Sequence, residues 1–463
     1  MAGGASADLH AGARAVCPAE GFELEVRWMA TGNNVCSVAA APSMCIAQVK
    51  QLVHEQTGIP VEDQRLLLDG LELPGDAALP SPAAAAPLLL VRSVSDPRIT
   101  DLGHFRTSTA AVEALPQGVF ARVRKLACGI HGDIFQYRWQ REGSEELVAV
   151  KRLRSEGLQS FQGTETDERI VHMEPWKKAP DAEDPLTEIG ILSYLARQPD
   201  LSPQLLRMRG VFAEEGFYWL VTEFADGGDL FEVAASGRVP EERLRRYIFQ
   251  LFQAAEYLHR HRIGHRDVSL ENVLLKEDSV RLMDFGMSVS SHSASGVLLR
   301  FFRAVGKDSY RAPEVYCPST AKTRITVPAG CKPGSVAMAK AGGGYLCEVR
   351  VPADAAPGQS CMAEVWGYAA PLADVFSCGV CLFMLAWQCP PWRHARLADP
   401  MFAFVHGRGA GGLEALLHHW KKPLLSADAM AFLEQALQPD PAKRPSAADC
   451  LAAPWFAPLA QAE

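Results

Sequence analysis

The sequence predicts a protein of the α+β class with two or three folded domains. The chain has 463 residues, more than one average domain, and 48 % of them are apolar, which is enough to bury a core. Residues 22–28 alternate between apolar and polar side chains, as a half-buried β-strand does. Further along, apolar residues recur at helical spacing: Ile46, Val49, Leu52 and Val53. Strand and helix patterns therefore both occur near the N-terminal end.

The charge and the apolar runs exclude several classes of function. A net charge of −8 does not favour a general role in binding nucleic acid or a membrane surface. The first 20 residues lack the apolar core of a signal peptide, and Ala2 does not fit the myristoylation pattern. The longest apolar run, residues 375–387, is too short to span a bilayer and predicts a buried helix. We therefore expect a cytoplasmic protein without a membrane partner, and a nuclear location stays open.

The N-terminal third contains a small folded region. Residues 1–20 are mostly small and are expected to be disordered. From residue 21 onward, the pattern predicts two strands, a helix that Ser43 can cap, and two more short strands. This order resembles ubiquitin, and the resemblance rests on Val49-Lys50, Gly58-Ile59-Pro60 and the run Gln64–Gly70. Residues 71–87 are rich in Ala and Pro and depart from the pattern, so another small β-grasp domain remains an alternative.

The resemblance to ubiquitin covers residues 21–93 and implies a β-grasp, ubiquitin-like domain. No Gly-Gly pair follows Val91, so conjugation to other proteins is not expected. The resemblance also implies that Leu67 and Val91 form an exposed apolar patch for docking a partner, in the ubiquitin pathway or elsewhere. Residues 94–120 are expected to form a linker.

Glycines and a lysine-bearing strand begin the second region. In the segment 126–134, Gly129 and Gly132 allow a backbone hairpin to approach phosphates closely, because no Cβ intervenes. An ordinary hairpin would show the same two glycines. The apolar strand 148–151 strengthens the phosphate interpretation, because Lys151 at its end is a good phosphate clamp and a poor surface choice.

Three motifs follow in a fixed order. His265-Arg266-Asp267 is followed by Asn272, a frame typical of a phosphoryl-transfer loop in which Asp267 accepts a hydroxyl proton and Asn272 ligates Mg²⁺. Asp284-Phe285-Gly286 lies twelve residues beyond Asn272 and supplies a second metal ligand, Asp284. The triplet 312–314, Ala-Pro-Glu, closes the segment. A chance occurrence of all three in this order is very improbable.

On these motifs, residues 121–456 resemble the eukaryotic protein-kinase superfamily of the serine/threonine type. The resemblance implies a bilobal fold with a β-rich N-lobe and a helical C-lobe, and it implies ATP and Mg²⁺ as cofactors and proteins as substrates. Glu188 matches the glutamate that pairs with Lys151. The resemblance assigns ATP binding to the glycine loop, the adenine pocket, the hinge and the ribose turn: Ala127, Cys128, Gly129, Ile130, His131, Gly132, Ile134, Ala149, Lys151, Glu223, Ala225, Asp229 and Leu274.

The sequence departs from the family at two positions that lie side by side in it. Ser269 stands where these kinases usually have Lys, and Lys307 stands where they usually have Thr. We interpret this as an exchange, in which the Lys307 ammonium supplies the positive charge near the γ-phosphate and acts as a catalytic residue. The alternative is that Lys307 is merely exposed to solvent.

Two insertions enlarge the kinase-like region. Residues 153–185 are polar and are expected to form a flexible loop. The second insertion, at about residues 320–366, contains an internal repeat, because the segment 325–334 is echoed by the segment 349–358. Each copy predicts a short strand that ends at Pro, a turn with Pro-Gly, and another strand. A small β-module is therefore expected beside the substrate lobe.

The sequence thus predicts an active kinase, because all the charged residues that phosphoryl transfer needs are present. Ala127 in place of the first loop glycine, together with Ser269, motivates a second hypothesis, a pseudokinase or scaffold that acts through the ubiquitin-like domain. A third possibility is an adaptor of the ubiquitin pathway that also carries a kinase.

Overall fold

A computed structural model describes most of the chain, namely residues 22–28, 34–57, 61, 64–69, 71–79, 87–92, 112–129, 131–141, 143–155, 184–293 and 296–460. The predicted disordered segment 1–20, most of the predicted linker and residues 156–183 of the first insertion lie outside the described residues. The chain divides into two compact units, residues 1–95 and residues 96–463.

The first unit is a five-stranded sheet with one helix. Its elements are β1 (Phe22–Trp28), β2 (Asn34–Ala40), α1 (Ile46–Thr57), β3 (Gln64–Leu68), β4 (Leu71–Glu72) and β5 (Leu88–Arg92). The strand order is β2-β1-β5-β3-β4, and only the central pair β1–β5 is parallel among the described pairs. Alternate residues of the strands, such as Val26, Leu66 and Leu90, face the helix residues Val49 and Val53 in one apolar core.

The second unit begins with a six-stranded sheet in the order β6-β10-β11-β9-β8-β7. Its strands are β6 (Glu113–Ala114), β7 (Phe120–Cys128), β8 (Asp133–Arg141), β9 (Ser144–Arg154), β10 (Met208–Glu214) and β11 (Phe217–Glu223). The helix α2 (Pro185–Leu195) precedes β10. Among the described residues of this unit, strand pairing begins at Glu113, inside the segment predicted as a linker, because residues 113–114 pair in parallel with Phe212 and Ala213 of β10.

The rest of the second unit is mostly helical. Its helices are α3 (Leu230–Ala235), α4 (Glu241–Arg260), α5 (Ala370–Trp387), α6 (Pro400–Arg408), α7 (Gly412–His419), α8 (Ala427–Ala436), α9 (Ala447–Leu451) and α10 (Ala457–Ala460). Four short strands lie between α4 and the second insertion: β12 (Ile263–Gly264), β13 (Val273–Lys276), β14 (Ser279–Leu282) and β15 (Val289–Ser290). In the part of the chain that the structure describes, α5 is the one helix long and apolar enough to cross a membrane, and 78 % of that stretch is buried inside the fold.

The second insertion forms a closed four-stranded barrel. Its strands are β16 (Lys322–Thr326), β17 (Val336–Ala341), β18 (Tyr345–Arg350) and β19 (Ser360–Val365). The two repeat copies exchange equivalent hydrogen bonds: Gly334 donates to the carbonyl of Val351, and Gly358 donates to the carbonyl of Val327, each over 2.9 Å. Both glycines adopt a positive φ, 77° and 82°, which explains why each copy needs Gly after its second Pro.

Candidate active site

An ion pair joins the six-stranded sheet to the helix α2 beside it. The Nζ of Lys151 on β9 lies 2.7 Å from an Oε2 oxygen of Glu188 on α2, and both side chains are largely buried. The helix begins where the sequence dictates, because Asp184 caps its N-terminus and Pro185 fits the first helical turn. The backbone N–H of Asp184 also donates to the carbonyl of Gly286 over 2.8 Å, which ties the start of α2 to the Asp284–Gly286 motif. The predicted partners therefore meet.

Two of the predicted adenine-pocket residues share a sheet face with Lys151. Along β9, Val148 and Val150 are buried on one side, so Ala149 and Lys151 occupy the other. Ile134 on β8 lies directly opposite Lys151 in the antiparallel register. The register places Ile134, Ala149 and Lys151 on one face, which is where ATP contacts were predicted.

The glycine loop connects β7 and β8 as a tight turn. The backbone N–H of Gly129 donates to the carbonyl of Gly132 over 2.9 Å. A Cβ on Gly132 would lie 1.7 Å from the carbonyl oxygen of Arg152, so no larger residue fits there. The neighbours Ala127 and Cys128 end β7, and His131 belongs to the turn. The predicted contact Ile130 lies outside the described residues.

The hinge region is held by a buried carboxylate. Glu223 ends β11, and its side chain lies 2.7 Å from Lys276 Nζ and accepts the backbone N–H of Arg207 over 3.0 Å. Burial opposes ionisation, yet these hydrogen bonds hold the pKa of Glu223 below its ordinary value. The side chain of Glu223 is thus structural, and its backbone N–H donates to the carbonyl of Arg207 over 2.9 Å, so its backbone carbonyl is the candidate for the predicted contact with adenine. Ala225 follows in the partly buried turn that leads to α3.

Asp229 and Leu274 meet in an isolated antiparallel β-bridge below this hinge. Asp229 was predicted to contact the ribose. In the structure its Oδ1 accepts the backbone N–H of Glu232 over 2.7 Å, so it caps the N-terminus of α3. Leu274 lies on β13 and is half-buried. The capping role of Asp229 was not part of the sequence interpretation.

The catalytic loop is braced from a distant helix. The carboxylate of Asp374 on α5 accepts the backbone N–H of His265 at 2.8 Å and that of Arg266 at 2.7 Å. Arg266 adopts a positive φ of 68°, a conformation that costs a non-glycine residue about 1–3 kcal/mol. The two hydrogen bonds to Asp374 offset this strain and fix the backbone next to Asp267.

Asp267 is buried, and its carboxylate is oriented from two sides. The side-chain amide of Asn272 donates to Oδ2 over 2.9 Å, and the backbone N–H of Lys307 donates to Oδ1 over 3.2 Å. Burial raises the pKa of Asp267, although the charges of Lys307 and His265 act in the opposite direction. The carboxylate is therefore a positioned group whose basicity exceeds that of an exposed aspartate.

The negative charge of Asp284 acts on the Asp267 carboxyl group, because it contributes to the raised pKa of Asp267. Asp284 has a positive φ of 65°, and its Oδ1 accepts the backbone N–H of Gly286 over 3.4 Å. Next to it, the buried Phe285 ring lies 5.3 Å from the His265 ring, which packs the two motifs together. The backbone N–H of Met283 donates to the carbonyl of Asn272 over 2.9 Å, so the two predicted metal ligands are on adjoining segments.

The side chain of Lys307 points into the site. Its Nζ donates to Ser269 Oγ over 2.7 Å and to Asn272 Oδ1 over 3.2 Å. The same nitrogen lies 3.7 Å from Asp267 Oδ2, an ion-pair distance that exceeds a hydrogen bond. Lys307 therefore reaches the space beside Ser269, and the alternative of a lysine directed only at solvent does not describe this geometry.

Glu314 and Arg444 form a fully buried pair that closes the segment after Asp284. Two guanidinium nitrogens contact the two carboxylate oxygens at 2.6 and 3.0 Å, and both side chains are 0 % exposed.

Sequence reasoning did not find Asp184 as a helix cap, although an Asp before Pro at a helix start is a known signal. It also missed the pair Arg300–Glu348, for which the sequence carries no local signal.

Comparison with known proteins gives two family matches. Residues 120–327 match the model of the protein kinase domain, and residues 25–81 match that of the ubiquitin family. CBL-interacting serine/threonine-protein kinase 7 of Arabidopsis thaliana is 28 % identical over 257 residues, which cover 55 % of this chain and 46 % of the relative. The hormonally up-regulated neu tumor-associated kinase of Homo sapiens is 28 % identical over 313 residues, which cover 65 % of this chain and 34 % of the relative.

The chain thus spans less than half the length of these curated relatives. The predicted α+β class, with a β-rich lobe and a helical lobe after a ubiquitin-like domain, is confirmed by the sheets, the helices and the two family matches. The chain contains a domain of the protein kinase family, preceded by a domain of the ubiquitin family.

Proposed function

We propose that this chain transfers the γ-phosphate of Mg-ATP to serine or threonine hydroxyls of protein substrates. The observation that carries the proposal is the buried, doubly hydrogen-bonded carboxylate of Asp267. The intact pair Lys151–Glu188 supports it, because that pair positions the lysine on the phosphates in this family. The Arabidopsis thaliana relative is named as a serine/threonine-protein kinase, which also supports the proposal.

Asp267 acts as the proton acceptor for the substrate hydroxyl in this proposal. The amide of Asn272 and the backbone N–H of Lys307 fix the carboxylate, so little reorganisation is needed when the hydroxyl approaches. Its raised pKa favours uptake of the proton as the oxygen attacks.

The donor set in the site fits Mg²⁺. Asn272 and Asp284 offer an amide oxygen and a carboxylate, the hard oxygen ligands that Mg²⁺ prefers. When bound there, Mg²⁺ would supply positive charge that neutralises the phosphate oxygens. Lys151 would bind the α- and β-phosphates, and Glu188 keeps its ammonium in place. The backbone of the loop at Gly129 and Gly132 would cover the phosphates.

Lys307 supplies the cation that the catalytic loop lacks at position 269. Ser269 is fully buried, and its hydroxyl accepts a hydrogen bond from the Lys307 ammonium, which anchors the lysine in the site. The Lys307 side chain is 38 % exposed, so the ammonium can extend from this position toward the γ-phosphate. A positive charge there stabilises the transition state more than the ground state.

The experiment is incubation with Mg-ATP and a generic protein substrate, with Asp284→Asn as the matched inactive variant. Incorporation of phosphate by the wild type at a rate far above that of the variant supports the proposal. A peptide array run in parallel reports the acceptor residue. Equal, negligible incorporation by both proteins would favour the pseudokinase alternative, and phosphotyrosine alone would contradict the acceptor type.

We also infer that the ubiquitin-like domain docks a protein partner through the sheet face that carries Leu67. Leu67 and Leu89 are opposite each other in the β3–β5 register, and both are half-buried, whereas Leu66 and Leu90 face the core. The side chain of Val91, the second predicted patch residue, lies outside the described residues.

A further inference from the structure

The inserted barrel is joined to the segment between Asp284 and Glu314 by a buried ion pair. The Nη1 of Arg300 lies 2.7 Å from Oε2 of Glu348, which is on barrel strand β18. The side chains are only 17 % and 10 % exposed. A charged pair this well shielded is screened little by salt, so it constrains the segment more firmly than a surface pair would.

Backbone contacts continue the attachment at the next residue. Phe301 and Tyr368 exchange two backbone hydrogen bonds of 2.9 Å each, and the Tyr368 hydroxyl donates to the carbonyl of Arg303 over 2.9 Å. Tyr368 follows the last barrel strand, two residues before α5. The segment around Arg300 is therefore held by the barrel and by the chain that leaves it.

This attachment reaches the catalytic loop. The guanidinium carbon of Arg266 lies 5.1 Å from the centre of the Phe301 ring, a cation–π distance. Within the described part of the chain, Arg266 makes no ion pair with a carboxylate. A phosphate on the segment would be one partner for Arg266, but Ser288, Ser290 and Ser291 are all buried and hydrogen-bonded. The carboxylate of Glu348, paired with Arg300, brings negative charge to the same segment without a phosphate.

We propose that Glu348 is a positioning residue of the kinase domain, whose pairing with Arg300 holds the segment after Asp284 beside the catalytic loop without phosphorylation. The inference rests on the proposed function, and it gives the inserted barrel a role as an internal activator. Glu348 touches neither substrate nor the reacting groups, so it acts through Arg300, Phe301 and Arg266 in turn.

The surroundings of Glu348 make the pairing depend on pH. The charged groups that act on it are Arg300, Glu314 and Arg444, and two cysteine thiols, Cys317 and Cys347, are close neighbours. Burial raises the pKa of Glu348 to about 7, and the attraction of Arg300 offsets this only in part. Burial also raises the pKa of both thiols, so they stay neutral near pH 7. The ion pair therefore forms as pH rises through about 7.

The test compares the full-length wild type, Glu348→Gln and Glu364→Gln after phosphatase treatment and repurification. Glu364 is a matched control, because its carboxylate lies 4.0 Å from Arg350 within the same barrel. Turnover and the KM for ATP are measured from pH 6 to 8.5, and hydrogen exchange is followed at the amides of Leu299 and Phe301. Arg300→Met removes the positive charge of the Arg300–Glu348 pair, and Arg300→Lys keeps it.

We expect Glu348→Gln and Arg300→Met to lower kcat roughly tenfold at pH 8, about 1.4 kcal/mol in activation free energy, with KM for ATP nearly unchanged. The rise of wild-type kcat through pH 7 should be absent in Glu348→Gln and present in Glu364→Gln and Arg300→Lys. Hydrogen exchange at the amides of Leu299 and Phe301 should be faster in Glu348→Gln than in the wild type. It should be unchanged in Glu364→Gln.

The inference would be overturned if Glu348→Gln had the kcat, the pH profile of kcat and the amide exchange rates of the wild type. If the wild type transfers no phosphate at all, the proposed function fails, and the exchange rates still decide whether Glu348 holds the segment. Phosphate found on the segment after phosphatase treatment, with activity that vanishes on its complete removal, would also contradict positioning by Glu348.

Discussion

The ammonium nitrogen of Lys307 lies 2.7 Å from the hydroxyl oxygen of Ser269, and both residues depart from the usual family pattern. The small side chain at one position leaves room that the long side chain at the other occupies. Because the nitrogen also contacts Asn272 and lies near Asp267, the positive charge stays in the site although it comes from another loop. This arrangement accounts for both departures together.

Replacement of Lys307 by Met should lower kcat by one to three orders of magnitude, because a well-placed charge near a transferring phosphate contributes roughly 2–4 kcal/mol. Steady-state phosphate transfer at saturating Mg-ATP measures this. Lys322→Met serves as the control, since Lys322 is an exposed residue at the start of the barrel. Full activity in Lys307→Met would mean that Ser269 is simply a tolerated loss.

The double variant Ser269→Lys/Lys307→Thr should regain much of the activity that Lys307→Met loses. It restores the usual family arrangement, in which the lysine comes from the catalytic loop. The single variants Ser269→Lys and Lys307→Thr form a double-mutant cycle with the double variant. We expect the coupling free energy between the two positions to be favourable. Additive losses in the double variant would show that the two positions do not exchange a function.

Asp267→Asn should reduce kcat by several orders of magnitude while the affinity for ATP stays nearly constant, because the carboxylate acts in the transition state. Turnover assays and nucleotide-binding titrations of the same preparation separate the two effects. Asp284→Asn, by contrast, should impair the use of Mg-ATP itself. Wild-type turnover in both variants would refute an active kinase at this site.

The stability of the kinase domain should fall as pH rises from about 4.5 to 7, in part because of Glu348. Its pKa is raised from 4.5 to about 7 in the folded protein, so between these values the folded state holds a proton that the unfolded chain has lost. Ionisation thus costs the folded state roughly 3 kcal/mol by pH 8.

Thermal unfolding of the wild type and Glu348→Gln between pH 5 and 8 measures this cost. The variant should be comparatively more stable at pH 8 than at pH 5, since glutamine cannot ionise. Parallel pH curves for the two proteins would show that Glu348 is already charged at pH 5.

Leu67→Asp should leave the ubiquitin-like domain folded and abolish docking, because Leu67 is half-buried on the sheet face away from the core. Leu66→Asp is the contrasting variant and should unfold the domain, since Leu66 is 0 % exposed. Circular dichroism reports folding, and a binding titration with ubiquitin-pathway partners reports docking. An unfolded Leu67→Asp domain would instead place Leu67 in the core.

Much of the site could be predicted because its motifs are local in sequence. The side chains of Asp267 and Asn272 are five residues apart and hydrogen-bond within one loop. The strand of Lys151 shows its alternation directly, because a pleated strand turns every second side chain to the same face. Asp229 was different, because its capping bond depends on where α3 begins, and helix ends are hard to place from sequence.

By itself, the sequence determined the class of the fold and the order of its two domains, and it predicted the residues proposed to bind phosphate and metal. These features rest on side-chain periodicity and on short motifs. The family resemblance implied that Lys151 meets Glu188 across 37 residues, but only the tertiary structure decided that Arg300 meets Glu348 across 48. Such pairs depend on how whole elements pack, and in particular on closure of the inserted barrel against the segment. No local pattern encodes that packing, because it results from burial summed over many residues.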